Sequence, residues 1–158
     1  MASSVATPSS TVCYTVTVDF DRTIEEMVSA GKYDLSNPHI NSKNFHAIAS
    51  GTHTMDIQLV HFDRKMKSSE ILAELDRLDL RPATLPVLLG FIAAFSDLGH
   101  FPIAALGSWC YSRRSSYIGD VGKVVVLFSY DSVRELDLYP SWPGRTWFGT
   151  VRFAAVRK

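Results

Sequence analysis

The chain has 158 residues; 46% are hydrophobic, 11% aromatic and 20% charged, and 16 basic side chains balance 16 acidic ones. One domain of about 150 residues is the expectation at this length, and it buries roughly 70% of its unfolded surface without needing a metal or disulfide staple. Wholesale disorder is excluded by the hydrophobic content, and general nucleic-acid binding is disfavoured because phosphate neutralisation needs a basic excess.

Met1–Ser10 is small and polar and reads as a flexible tail, leaving 11–158 as the domain. It has no basic start and no apolar run, so no signal peptide is expected, and the chain is placed in the cytoplasm or displayed through a partner. Tyr14–Val18 alternates with period two, as a half-buried strand does. Thr23-x-x-Glu26 has capping-box spacing before Ile24, Met27 and Val28, with Gly31 as the stop. Tyr33–Phe45 reads as loop, with a short turn near Ser42–Phe45. Met55–Phe62 is a second strand. Ser68 or Ser69 caps a helix through Leu78, whose stripe is Ile71, Leu72, Leu75 and Leu78. Pro82 forces the chain out of helix at Arg81. Thr84 caps a third helix, Leu85–Phe95, apolar nearly all round and too short to span a membrane. Phe101–Leu106, Lys123–Phe128, Arg134–Leu138 and Val151–Val156 read as strands, joined by segments rich in Tyr, Trp, Ser, Gly, Pro and Arg. Helices in the first two-thirds and strands in the last third give an α+β class: helices packed on a small, mostly antiparallel sheet, with a loop-rich C-terminal third.

Signals for catalysis are weak. His39, His46, His53, His61 and His100 lack metal-site spacing, and His61 on a strand face reads as structural. No glycine-rich phosphate loop and no nucleophile elbow is present. Asp19-Phe20-Asp21 reads as a strand end, and Asp76-x-x-Asp79 as a solvated helix face. Cys13 and Cys110 allow one disulfide by count and otherwise read as two reduced thiols. No catalytic residue, metal or cofactor is therefore assigned.

The informative stretch is 108–151. It holds Trp109, Trp142 and Trp147, four of the six Tyr, and Arg113, Arg114, Arg134 and Arg145. Residues 99–158 carry 4 acids and 8 bases, a +4 balance against −4 over residues 1–98 with 12 acids and 8 bases. Tyr and Trp give large contact area at low entropy cost, with Ser and Gly as adaptable partners, so the composition is that of a binding surface. Trp109 and Trp147 are expected to plug the core, whereas Tyr130–Ser132, Tyr139–Ser141 and Pro143–Thr146 are expected at the surface because turn residues bury badly. The three asparagines, Asn37, Asn41 and Asn44, all precede this stretch.

Leu80-Arg81-Pro82-Ala83-Thr84-Leu85 before an apolar helix, Ala105-Leu106-Gly107-Ser108-Trp109, and the ending Arg152-Phe153-Ala154-Ala155-Val156-Arg157 resemble the helix start, a strand and the closing strand of formylglycine-generating-enzyme-like domains. The chain from about Tyr14 resembles, more closely, the variable proteins of diversity-generating retroelements, small proteins with a C-type-lectin-like fold. That resemblance implies a gene end recopied with errors at adenines, which would convert asparagine codons to many others. It implies a frame of Arg134, Leu136, Leu138, Trp147, Arg152, Phe153 and Val156. It also implies ligand-facing roles for Tyr130, Asp131, Ser132, Asp137, Tyr139, Ser141, Arg145, Thr146, Phe148 and Thr150. The expected partner is a macromolecule, a protein, with no nucleic acid and no membrane span. The two catalytic cysteines of formylglycine-generating enzymes have no counterpart, so that activity is not carried over. Two alternatives stand beside the diversified binder: an assembly module whose aromatic patch is an oligomer interface, and an enzyme relative using Cys110.

Overall fold

The structure, a computed structural model, describes residues 10–46, 49–95, 97–98, 100–112, 121–142 and 145–158, with the backbone alone described at 111, 112, 121, 141 and 142. In chain order the elements are β1 (Ser10–Asp19), α1 (Ile24–Ala30), β2 (Leu35–Ser36), β3 (Thr52–His61), β4 (Met66–Lys67), α2 (Ser68–Arg77), β5 (Leu80–Pro82), α3 (Leu85–Ala94), β6 (Ile103–Ser112), β7 (Val121–Tyr130), β8 (Val133–Trp142), β9 (Thr146–Trp147) and β10 (Arg152–Arg157).

The expected architecture is corrected here. One large mixed sheet of eight strands dominates the described residues, in the order β1-β3-β10-β6-β7-β8-β2, with β5 pairing β10 off that path. Three short helices pack on it, so the molecule is strand-dominated and is not a set of helices on a small sheet. The C-terminal third is not loop-rich in its described part: β6, β7 and β8 are ten-residue strands. Ser, Gly and Pro favour turns in isolation, yet a strand accepts them wherever one face or edge stays open to water. Pro140 illustrates this. It pairs with Lys123 inside β8, beside a register shift at Gly122, while β2 covers the outer side of β8 only at Glu135 and Leu136. An edge position needs no N–H from proline.

Local signals hold elsewhere. At α1, Thr23 Oγ1 accepts from the Glu26 amide (3.1 Å) and Glu26 Oε1 accepts from the Thr23 amide (3.3 Å), closing the capping box. The second helix starts one residue earlier than a serine cap requires. Lys67 is its N-cap, the Lys67 amide donates to Glu70 Oε1 (3.0 Å), and Ser68 lies inside the helix, fully buried. Thr84 is the N-cap of α3 but makes no side-chain cap bond. Ser108 Oγ, from β6, takes the Leu85 amide instead (2.7 Å). The three asparagines tie the 37–45 segment together: Asn37 Oδ1 accepts from the His39 amide, Asn41 Oδ1 from the Lys43 and Asn44 amides, and Asn44 Nδ2 donates to His39 O. Local side-chain to backbone bonding of this kind is what asparagine does best in a segment without a ladder.

The sheet separates two apolar layers. Ile57, Ile103, Ala105, Val125, Leu127, Leu136, Ala154 and Val156 meet α1 and α3 on one face. Val60, Ala104, Leu106, Val124, Val126, Phe153 and Ala155 meet α2 and Trp147 on the other. β10 sits centrally, parallel to β6 and antiparallel to β3, so its side chains are buried on both faces. β10 and β6 pair only at Arg152–Ile103 and Phe153–Ala104. Beyond that point β5 takes up the pairing with β10, and the Gly107 amide donates to Ala83 O (2.9 Å). A Cβ at Gly107 would stand 2.6 Å from the Ala83 and Pro82 carbonyl oxygens, so the backbones meet there only because the residue is glycine.

Candidate functional site: an aromatic and charged face of the β7–β8 hairpin

Pairing fixes which side chains share a face. Phe128 lies opposite Glu135, Val126 opposite Asp137 and Val124 opposite Tyr139, and Val124 and Val126 belong to the layer beneath α2. The even-numbered residues of β7 and the odd-numbered residues of β8 therefore form one face. Toward α2 this face is buried; along Phe128, Glu135, Asp137 and Tyr139 it is half-exposed.

At one end of the row the hairpin turns in two residues. Asp131 and Ser132 have φ of 45° and 65°, the conformation of a tight turn matched to strand twist, and both are exposed. Tyr130 is 47% exposed, and its hydroxyl donates to Glu135 Oε2 (2.9 Å). That hydrogen bond is the main reason the Tyr130 phenol is held above its ordinary pKa, with burial and the charges of Glu135 and Asp131 adding to it. Midway, Asp137 Oδ1 accepts from Asn37 Nδ2 (2.9 Å) and from the Leu138 amide (2.8 Å).

The other end is an aromatic stack. Tyr139 packs on Phe128 (centroids 6.0 Å apart) and on Trp147 (5.7 Å), and Trp147 meets Phe153 edge-on at 5.7 Å. The Arg145 guanidinium lies 4.1 Å over the Tyr139 ring and donates to its hydroxyl. The 145–150 segment is held against the start of α2: β9 pairs with β4, the Ser68 amide donates to Arg145 O (3.0 Å), and Trp147 Nε1 donates to Ser68 Oγ (2.8 Å). His61 Nε2 meets Gly149 O at 2.7 Å, a structural use of that histidine. Phe148 projects outward, 62% exposed, with Lys65 Nζ 5.8 Å from its ring centroid. Thr146 and Thr150 are exposed beside it.

The ten residues singled out in the sequence thus fall into distinct situations. Tyr139, Arg145, Thr146 and Phe148 form one platform, with Thr150 in the turn that follows. Tyr130, Asp131 and Ser132 form the hairpin tip, joined to the platform through Glu135 and Phe128. Asp137 is engaged by Asn37 and is only half-exposed. The side chain of Ser141 lies outside the described residues, as do Pro143 and Gly144. Of the frame residues, Leu136, Trp147, Phe153 and Val156 are buried, while Arg134, Leu138 and Arg152 are half-buried. Trp147 plugs the core as expected; Trp109 is half-buried. Sequence reasoning missed Asn37, Lys65, Phe128 and Glu135; Asn37 lies 100 residues from its partner Asp137, and Lys65 lies 83 residues from Phe148.

Other chemistry at the surface is sparse. Among the described residues no three His, Cys, Asp or Glu side chains gather as a metal site. Cys13 and Cys110 are both free. Burial pushes the Cys110 thiol above its ordinary pKa, with Lys123 opposing, the reverse of the shift that activates a thiolate. Among the described residues no helix is long and apolar enough to cross a membrane. Comparison with known protein families, curated proteins and solved structures gives no match to this chain.

Proposed function

We propose that the chain is a binding protein without catalysis of its own, and that the β7–β8 face with the 145–150 turn receives a macromolecular partner, a protein. The observation that carries this reading is the platform itself: Phe148 stands 62% exposed beside Arg145, which lies over Tyr139 on a base fixed by buried Trp147. Aromatic and arginine side chains on a rigid base are the residues that dominate binding energy at protein interfaces. Their exposure in one chain leaves them available to a second molecule.

The proposal extends to how the surface is varied. Exposed side chains at Tyr130, Asp131, Ser132, Thr146, Phe148 and Thr150 alternate along the chain with a buried frame that includes Leu136, Trp147 and Phe153. Such a division lets the former change without loss of the latter, as recopying of the gene end would require.

Light scattering of the purified chain at rising concentration tests the binding role against self-assembly. A monomer is expected, with Phe148→Glu indistinguishable from the parent. A stable oligomer that Phe148→Glu dissociates would make this face an assembly interface and overturn the reading.

A further inference from the structure

A second concavity opens on the opposite face of the sheet. The wedge of β5 between β10 and the far half of β6 spreads the backbone there, leaving a cleft of about 480 Å³. That volume suits a small molecule. Its walls include Phe45, Met55, Val87, Trp109 and Val156, whose apolar surface would stack or pack against a ring system.

Arg81 is the charged side chain of the cleft. His46, Asn44, Thr84 and Ser108 also line it, and among the described residues no Asp or Glu does. Arg81 is exposed, and among the described residues no carboxylate pairs with it. The Thr84 hydroxyl, also in the wall, is not spent on capping α3, since Ser108 takes the Leu85 amide. The first turn of α3, with Pro86 and Val87 in the wall, adds its partial positive charge to that of Arg81.

We infer that this cleft binds a small aromatic anion, its ring between the apolar walls and its anionic group on Arg81 and Thr84. Arginine provides the fork geometry for an oxyanion such as a carboxylate. The site is separate from the proposed protein-binding face, since its walls belong to the layer under α3 and those of the other to the layer under α2.

Fluorescence titration of the full chain with anilinonaphthalene sulfonate, an aromatic anion, and with neutral phenylnaphthylamine tests the inference. One anion is expected per chain. Arg81→Gln, an exposed change that leaves the fold intact, should weaken the anion about tenfold or more, as loss of a charged hydrogen bond does, and leave the neutral dye unchanged. Thr84→Trp should fill the cleft and weaken both. Phe148→Ala on the opposite face should alter neither, so a failure here is distinct from a failure of the protein-binding reading. Absence of dye binding, or binding of the anion indifferent to Arg81→Gln, overturns the inference.

Discussion

Trp147 Nε1 donates to Ser68 Oγ across 2.8 Å in the buried layer beneath α2. The bond joins the first residue of a helix to a two-residue strand far along the chain, and it fixes the base on which Tyr139 and Arg145 stand. Ser68 is the one polar residue fully buried among the described residues. Replacing it with alanine strands the indole N–H away from water, which costs about 1–3 kcal/mol. Urea unfolding of Ser68→Ala should show a lowered midpoint with an unchanged slope.

The platform residues should separate by burial. Phe148→Ala removes an exposed ring and should shift stability by no more than about 0.5 kcal/mol. Tyr139→Ala removes a ring packed on both Phe128 and Trp147 and should cost about 3 kcal/mol. Thermal melts of the two variants check this: Phe148→Ala melts with the parent and Tyr139→Ala well below it. Both should weaken partner binding, so Phe148→Ala is the cleaner probe of the surface.

The hairpin tip carries backbone strain. Ser132 holds a φ of 65°, in the left-handed region where glycine is at ease. Non-glycine residues in sparsely populated backbone regions cost on the order of 1 kcal/mol or more. Ser132→Gly should therefore raise the denaturation midpoint by about 1 kcal/mol of stability, offset in part by glycine's greater freedom when unfolded.

Tyr33 predicts an alkaline signature. Its hydroxyl is buried with no hydrogen-bond partner, and Arg134 lies 5.2 Å over its ring. Burial drives its pKa well above the ordinary tyrosine value, against the opposing charge of Arg134. The folded pKa exceeds the unfolded one, so this contribution is intact below about pH 10 and is lost as pH rises beyond it. Tyr33→Phe, which removes a buried unpaired hydroxyl, should be more stable than the parent at pH 7 by about 1 kcal/mol or more, and should lose less stability than the parent between pH 10 and 11, by about 1 kcal/mol. Guanidinium unfolding at the two pH values reads the difference.

Strict periodicity made β1, β3 and α2 legible, because Val16–Val18, Ile57–Leu59 and the Ile71–Leu75 stripe bury in the expected phase. The capping box at Thr23 was equally plain. The overall class was not, since β6–β8 continue through Gly107, Ser108 and Pro140, whose local preference is for turns. What holds Pro140 and Trp142 in a strand is the ladder to β7, a long-range pairing that composition does not record. The same applies to the site. Tyr139, Arg145 and Phe148 could be singled out by type, but not their union with Lys65 and Ser68, which depends on the two-stranded β4–β9 contact. Asp137 shows the converse limit: alternation places it on the outward face, yet Asn37, folded back onto β8, occupies its carboxylate.

The most direct measurement is sequencing of the 3′ end of this gene across its source population. The account predicts substitutions that trace to adenines and fall at Tyr130, Asp131, Ser132, Thr146, Phe148 and Thr150, with Leu136, Trp147 and Phe153 unchanged. An invariant surface, or changes spread evenly over buried and exposed positions, would contradict it.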